Sequence, residues 1–260
     1  MTGPDPLHPL RVPGLLNLRD LGGTATASGR RIAHGRLWRS ENHTGLPSSA
    51  LHLLVEAGLT DVVDLRTDFE VAGSPSPLRS LPRVRYHHHS FFREAEDDDA
   101  GILDRALPWV SPRLEELTGD ETADSYLGFL SDRPDSVVEA LRAVANARGA
   151  ALVHCAVGKD RTGLLVALAL TLVGVTPEDV AADYALSTGA MTGVVQRLWA
   201  DPTYSTEASD IDEAHLAARP ESMLMVLSHL AELGGVRPLL RDFGWSADDD
   251  ERLAHHLLTR

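Results

Sequence analysis

The sequence predicts an α/β fold with a helix-rich C-terminal half. Two short apolar, β-branched runs, DVVDL (61–65) and ALVHC (151–155), have the length and content of buried strands. Helical patterns lie between these runs, where they serve as crossovers. From Pro177 onward the apolar spacing is helical almost to the end. Strands early, helices late and crossover helices between strands argue for this class. With 43% hydrophobic residues, a chain of 260 can bury a full core, and the length suits one large domain better than two small ones.

Residues 1–13 hold four prolines and little periodicity, and read as an extended arm ahead of one domain over 14–260. NLRDLGG (17–23) is a polar turn with paired glycines, and GRRIAHGRLWRS (29–40) has room for short strands. Ser49 to Ala57 has helical spacing through Leu51, Leu54 and Val55, with Gly58 as its stop. VRYHHH (84–89) is a weaker strand pattern. Glu94, Glu96, Asp97, Asp98 and Asp99 crowd one segment, which by composition is a solvated loop. A sharper reading makes 90–125 a mobile acidic flap over an active site. Val137 to Ala147 is an amphipathic helix ended by Gly149.

A long helix runs on from Thr162. Its apolar run, Leu164 to Val175, is broken only by Thr171 and Gly174; 12 residues are too few to span a bilayer and suit a buried core helix. Pro177 and Glu178 open one further helix carrying Val180, Tyr184, Val194, Val195 and Leu198. Helices over Pro220 to Leu233 and Val236 to Phe243 follow. The last is capped by Ser246, with acids at 248–251 complementing the positive helix end.

The balance of 24 basic against 38 acidic residues, a net charge of -14, opposes nucleic-acid binding, because phosphate backbones need a basic surface. Cys155 is the one cysteine, so no intramolecular disulfide forms, which fits a reducing compartment. The N-terminus lacks a basic start followed by an apolar run, so a soluble cytoplasmic protein without an integral membrane segment is expected.

ALVHCAVGKDRTGLLVALAL (151–170) carries the chemistry: a buried strand, a turn and a long apolar helix. Such a turn lies at the carboxyl end of a strand and the amino end of a helix, where anions bind. Residues 156–161 offer consecutive backbone N–H groups and no proline. Curled into a nest, Ala156, Val157, Gly158, Lys159, Asp160 and Arg161 can face the non-bridging oxygens of one phosphoryl group. Gly158 relieves the curve, and Arg161 adds a planar fork for two oxygens. Cys155 sits where a helix end and cations stabilise a thiolate, so it can attack phosphorus and form a cysteinyl phosphate that water hydrolyses. The Thr162 hydroxyl is placed to hydrogen-bond the Cys155 sulfur and help it leave. His154 is a candidate for fixing the loop through its ring nitrogens. A lone cysteine is more often a small buried hydrophobe; here Cys, Gly, Arg, Thr and Gly stand at fixed offsets between strand and helix.

HCAVGKDRTG (154–163) resembles the signature H-C-x-x-G-K-D-R-T-G of atypical bacterial protein tyrosine phosphatases. NLRDLGG (17–23), GRLWRSENH (35–43), LTDVVDLRTDFEV (59–71) and DYALS (183–187) are similar to further motifs of that family, and 90–125 is the least alike. The resemblance implies a cysteine-phosphatase-like domain with a central, mainly parallel sheet flanked by helices, and helical lid elements. It makes Cys155 the nucleophile, Arg161 the phosphate clamp and Ala156 to Asp160 the cradle. Lys159 stands where the family has a lysine associated with dual-specificity and phosphoinositide activity. Asn17, Arg19 and Asp20 pack beneath the loop, although turn chemistry alone would explain Asp20.

The general acid stays open. The family has an aspartate soon after the strand matching Tyr86–His89, whereas this chain has Ser90, Phe91, Phe92 and Arg93, with Glu94 as the first acid. The order of candidates is Asp160, Asp64, Glu94. Asp160 is equally well read as an acid that only complements the helix dipole, and Asp64 as a partner for Arg66 or a prop for Arg161. His87, His88 and His89 alternate faces on a strand and cannot easily chelate one ion, so neither a metal nor any other cofactor is expected. Asp183 and Tyr184 read as packing or pairing residues.

The expected activity is cysteine-dependent phosphomonoester hydrolysis, on phosphotyrosine in proteins with phosphoserine, phosphothreonine or phosphoinositides as further substrates. A small-molecule phosphatase with the same loop chemistry is the alternative. A phosphate-binding module without catalysis is disfavoured by the intact Cys155 and Arg161. A sulfurtransferase leaves Arg161-Thr162-Gly163 unexplained.

Overall fold

The computed structural model describes residues 10–93, 117–204 and 216–259. Its elements, in chain order, begin with β1 (Arg19–Asp20), β2 (Leu37–Ser40), α1 (Ser48–Glu56), β3 (Leu59–Asp64), α2 (Asp68–Gly73), a single 3₁₀ turn (Pro77–Ser80) and β4 (Arg85–His88). They continue with α3 (Glu121–Asp132), α4 (Pro134–Ala145), β5 (Ala150–His154), α5 (Asp160–Leu172), α6 (Pro177–Ala185) and α7 (Thr188–Trp199). The last three are α8 (Pro220–Glu232), α9 (Val236–Asp242) and α10 (Ala247–Leu257). The five strands form one sheet in the order β1-β2-β5-β3-β4. Strands β2, β5, β3 and β4 run parallel, and only β1 is antiparallel to its neighbour. The sheet is therefore mainly parallel, as expected.

Because β5 lies between β2 and β3, the carboxyl ends of three strands, Ser40, His154 and Asp64, meet at one edge. That is where a doubly wound sheet opens a crevice. Alternation along β5 divides the core. Ala151, Val153 and Cys155 face a large apolar layer with α3, α4 and α5, while Ala150 and Leu152 face a smaller one with Ala50, Leu51 and Leu54 of α1. A register shift between Leu59 and Asp61 lets Leu59 and Val62 share the smaller layer. Helix α5 is buried from Arg161 to Leu170 without interruption, so it is apolar all round rather than amphipathic.

Local chemistry fixes the ends. Gly58 stops α1 at a positive φ of 110°. Thr67 and Glu70 form a reciprocal capping box on α2, and Ser246 and Asp249 form another on α10. Thr176 caps α6, and Pro177 occupies its first turn.

Three expectations change. The pattern from Pro177 to Leu198 is two helices, α6 and α7, broken at Leu186 and Ser187. The Ser187 hydroxyl at the break is held by Arg19 and Arg39. Part of the expected acidic flap is ordered helix: α3 begins at Glu121 behind an Asp120 cap. Residues 94–116 of that flap, with Glu94, lie outside the described residues, as do residues 1–9 of the expected arm. The helix expected from Thr162 begins at Asp160. Among the described residues no single helix is long and apolar enough to cross a membrane.

Candidate active site

The turn after β5 is shaped by what happens to its carbonyls. Ala156 O accepts from Asn42 N at 2.9 Å. Val157 O and Gly158 O accept from Asn17 Nδ2 at 3.2 and 3.1 Å. Gly158 O also accepts from Arg39 Nη2 at 2.8 Å, and Lys159 O accepts from Gly163 N at 2.8 Å. Three consecutive carbonyls are thus held by donors from other segments, and the fourth by the first turn of α5. In a trans peptide the C=O and the following N–H point oppositely, so the N–H groups of Val157, Gly158, Lys159 and Asp160 are turned to the other side, forming a nest. Gly158 has φ 72°, and a Cβ there would lie 2.3 Å from Ser40 O. Only glycine lets the loop approach β2 so closely.

Cys155 is buried at the foot of this loop. Arg161, in the first turn of α5, is also buried. Its Nη1 and Nη2 donate to Glu70 Oε2 and Oε1 at 2.6 and 3.0 Å, and its guanidinium lies over the Phe92 ring at 5.3 Å. Burial alone would lower the Arg161 pKa, but the charges of Glu70 and Cys155 and the Glu70 hydrogen bonds raise it. Glu70 Oε2 also accepts Thr67 N at 2.8 Å, and Glu70 Oε1 lies 3.4 Å from the Tyr204 hydroxyl. The capping box of α2 therefore aims the carboxylate that holds Arg161. Phe92, in the segment where an acid would stand by the family pattern, packs on this guanidinium instead.

Behind the loop lies a desolvated charge network. Asp183 pairs with Arg19 Nε and Arg39 Nη1, each at 2.7 Å. Asn17 Oδ1 accepts from Arg19 Nη1 at 2.6 Å, which turns its amide nitrogen toward the loop carbonyls. The Glu41 carboxylate accepts Leu16 N and Asn17 N at 2.7 and 3.0 Å, and burial raises its pKa. Asn17 thus hydrogen-bonds the loop directly, and Arg19 reaches it through Asn17. Asp20 does not: it accepts Gly22 N at 2.9 Å and Gly35 N at 2.7 Å, and so shapes its own turn.

Asp64 is fully buried against Arg66, with Nη2 at 2.7 Å, and accepts the Tyr86 hydroxyl. Burial pushes its carboxyl up, but Arg66 and the donated hydrogen bonds outweigh this and hold it far below the usual range. It is thus a partner of Arg66, ionised and enclosed, rather than a proton donor. His154 donates from Nδ1 to Cys155 O at 3.1 Å, and burial lowers its pKa to about 4, so the ring is neutral at pH 7.

Asp160 opens α5 with its side chain 34% exposed. Its Oδ1 accepts the Tyr126 hydroxyl at 2.7 Å and lies 3.4 Å from Lys159 Nζ. The Thr162 hydroxyl departs from expectation. Buried, it has no hydrogen-bond partner among the described residues, so the bond to the Cys155 sulfur is not made. His87 Nε2 lies 2.9 Å from Asp61, and His88 Nε2 lies 2.7 Å from Arg66 O.

Sequence reasoning left out Glu70, Arg39, Glu41 and Tyr126. Glu70 had a local signal, the T-x-x-E of a capping box, which speaks of a helix start and not of an arginine partner. Arg39 and Glu41 come to the loop only because β2 lies beside β5.

Residues 10–259 match the model of a family described as the tyrosine phosphatase family. A Cupriavidus necator chain, assigned provisionally by its name to the tyrosine-protein phosphatases, is 34% identical over 182 residues, covering 68% of this chain and 62% of its own length. The triple specificity protein phosphatase of Mycobacterium tuberculosis is 31% identical over 207 residues, 72% of each chain. A tyrosine-protein phosphatase of Nostoc commune is 28% identical over 214 residues, 77% of this chain and 66% of its own. The chain therefore spans slightly less than two thirds of the first and third of these relatives.

Three outcomes follow from the geometry. Gly158→Ala meets both a left-handed φ and the β2 backbone, and should cost more than about 2 kcal/mol in urea unfolding. An unchanged midpoint would mean that the loop can relax. Glu70→Gln keeps shape but leaves the buried Arg161 without its counter-charge, at a cost of about 3 kcal/mol, read by the same unfolding experiment. The third concerns pH. Folded His154 has a pKa of about 4 against an ordinary 6.5, so the unfolded chain binds a proton that the folded one refuses. Stability is complete above pH 6.5 and should fall as pH drops toward 4, by about 3 kcal/mol from this residue. Buried His43 acts in the same direction. Equal midpoints at pH 7 and 4.5 would contradict it.

Proposed function

The chain belongs to the tyrosine phosphatase family, and we propose that it hydrolyses phosphate monoesters, phosphotyrosine in proteins first, through a cysteinyl-phosphate intermediate. The observation that carries this reading is the loop whose four carbonyls are pinned outward around a buried Cys155. In this reading the N–H groups of residues 156–161 hold the non-bridging oxygens of the phosphoryl group. Arg161, fixed along one edge by Glu70, supplies further donors to the same oxygens.

The Cys155 thiolate attacks phosphorus in line, forming the S–P bond as the P–O bond to the leaving group breaks. Asp160 gives its proton to the departing oxygen, since it is the exposed carboxyl of the loop while Asp64 is enclosed and ionised. The Asp160 carboxylate then takes a proton from water, whose oxygen attacks phosphorus and expels the thiolate. The nest and Arg161 are fixed before charge develops, which is where such sites gain most of their rate. Thr162 and Lys159 stand beside this path. The Mycobacterium tuberculosis relative is named for triple specificity, and we carry that breadth to this chain as part of the proposal, with phosphoserine, phosphothreonine and inositol phospholipids as further substrates.

Cys155→Ser should abolish turnover of a phosphotyrosine peptide while phosphate still binds, because the nest and Arg161 remain. The wild-type rate should not change on adding a chelator, since the nucleophile is a thiolate. Both are read by phosphate release and calorimetry. A Ser variant retaining more than about a hundredth of the rate, the scale on which one transition-state group acts, contradicts the mechanism.

A further inference from the structure

Beyond the loop itself, we propose that Tyr126 and Tyr184 are positioning residues for Asp160: a buried two-hydroxyl chain that anchors one carboxylate oxygen and leaves the other to deliver the proton. The inference rests on Asp160 being the general acid. The Tyr126 hydroxyl lies 2.7 Å from Asp160 Oδ1 and 2.6 Å from the Tyr184 hydroxyl. A phenol has one proton to donate. When Asp160 is ionised, that proton goes to the carboxylate, which only accepts, so Tyr184 must donate to Tyr126. The order is then Tyr184 to Tyr126 to Asp160. When Asp160 is protonated on Oδ2, Oδ1 is still an acceptor and the order is unchanged. Either way Oδ1 is tethered inward, and Oδ2 carries no hydrogen bond among the described residues.

Both rings are almost wholly buried, and they pack edge to face at 6.1 Å. Tyr126 comes from α3 and Tyr184 from α6, so two helices outside the loop set the direction of its acid. Burial, and then the charge of Asp160, raise the pKa of both phenols, so they stay protonated wherever the enzyme works. The other charged groups facing this corner are Lys159 at 3.4 Å from Oδ1, Arg161 with its partner Glu70, Arg39 beside the Lys159 carbonyl, and Asp120, whose charge reaches Tyr184.

The test uses the full chain and two substrates, a phosphorylated aliphatic alcohol and an activated aryl phosphate whose leaving group needs little protonation. Tyr126→Phe keeps the ring and removes the donor to the carboxylate. The ionised carboxylate loses a donor, so the basic limb of the pH–rate profile should move up by about one unit. Below that limb, turnover of the alcohol phosphate should fall about tenfold through lost orientation, and the aryl phosphate much less. Tyr184→Phe should move the limb in the same direction by less, and serves if Tyr126→Phe does not fold. In the double variant Asp160→Asn with Tyr126→Phe, no loss beyond that of Asp160→Asn is expected.

If Asp160→Asn removes the limb but neither phenylalanine variant moves it, the positioning role is wrong and the acid stands. Equal losses on both substrates, or a further loss in the double variant, mean that the tyrosines only pack. If Asp160→Asn leaves the limb and the substrate ratio untouched, Asp160 is not the acid and both readings fall.

Discussion

The N–H groups of Val157 to Asp160 turn to one side only because the carbonyls of residues 156–159 are engaged on the other. Asn42, Asn17, Arg39 and Gly163 supply those engagements. An isolated loop of this sequence would have no reason to align its peptides, because parallel dipoles repel one another and water satisfies them in any direction. The fold replaces water with fixed donors on the outer side of the curve. The close approach of Gly158 to Ser40 and Glu41 of the β2 edge is part of the same constraint.

Those donors are themselves held by buried charge. Asp183 bridges Arg19 and Arg39; Arg39 then reaches the loop directly, and Arg19 reaches it through Asn17. Glu70 holds Arg161 and Asp64 holds Arg66. Buried pairs of this kind add little net stability compared with apolar residues, but removing one partner strands the other at a cost of about 3–5 kcal/mol. Their contribution here is geometric: planar guanidinium groups fix direction as well as distance. Apart from Asp160 in the loop itself, the carboxylates around it, Asp183 and Glu70, are committed to buried guanidinium groups.

The site's acid–base groups are separated by environment. Asp64 and His154 are enclosed at the sheet edge, one held ionised beside Arg66 and the other kept neutral by burial. Asp160 alone among these reaches solvent. Burial therefore leaves Asp160, not Asp64, open to solvent near Cys155, and in the proposed mechanism the tyrosine pair beneath Asp160 sets where it points.

The strand, turn and helix of residues 151–170 were legible in the sequence because their chemistry is contiguous. An apolar run, a glycine needing positive φ and an arginine at the start of a helix are adjacent along the chain, and their spacing alone implies an anion site. The mainly parallel sheet was implied by the family resemblance, whereas Asp183, read as packing or pairing on its helix, pairs across elements with Arg19 and Arg39. Glu70, Arg39, Glu41 and Tyr126 could not be anticipated, because each stands on a different element and meets the loop only through the strand order that seats β5 between β2 and β3. Thr162 and Asp20 show the converse. Their sequence neighbourhood suggested roles at the loop, yet the packing of α5 encloses the Thr162 hydroxyl without a partner among the described residues, and a local turn claims the Asp20 carboxylate. Sequence by itself determined the contiguous strand, turn and helix whose residues are proposed to bind phosphate, since that depends on local backbone and side-chain type. Tertiary structure decided which side chains orient them, since desolvated hydrogen bonds and ion pairs are fixed by packing between distant segments.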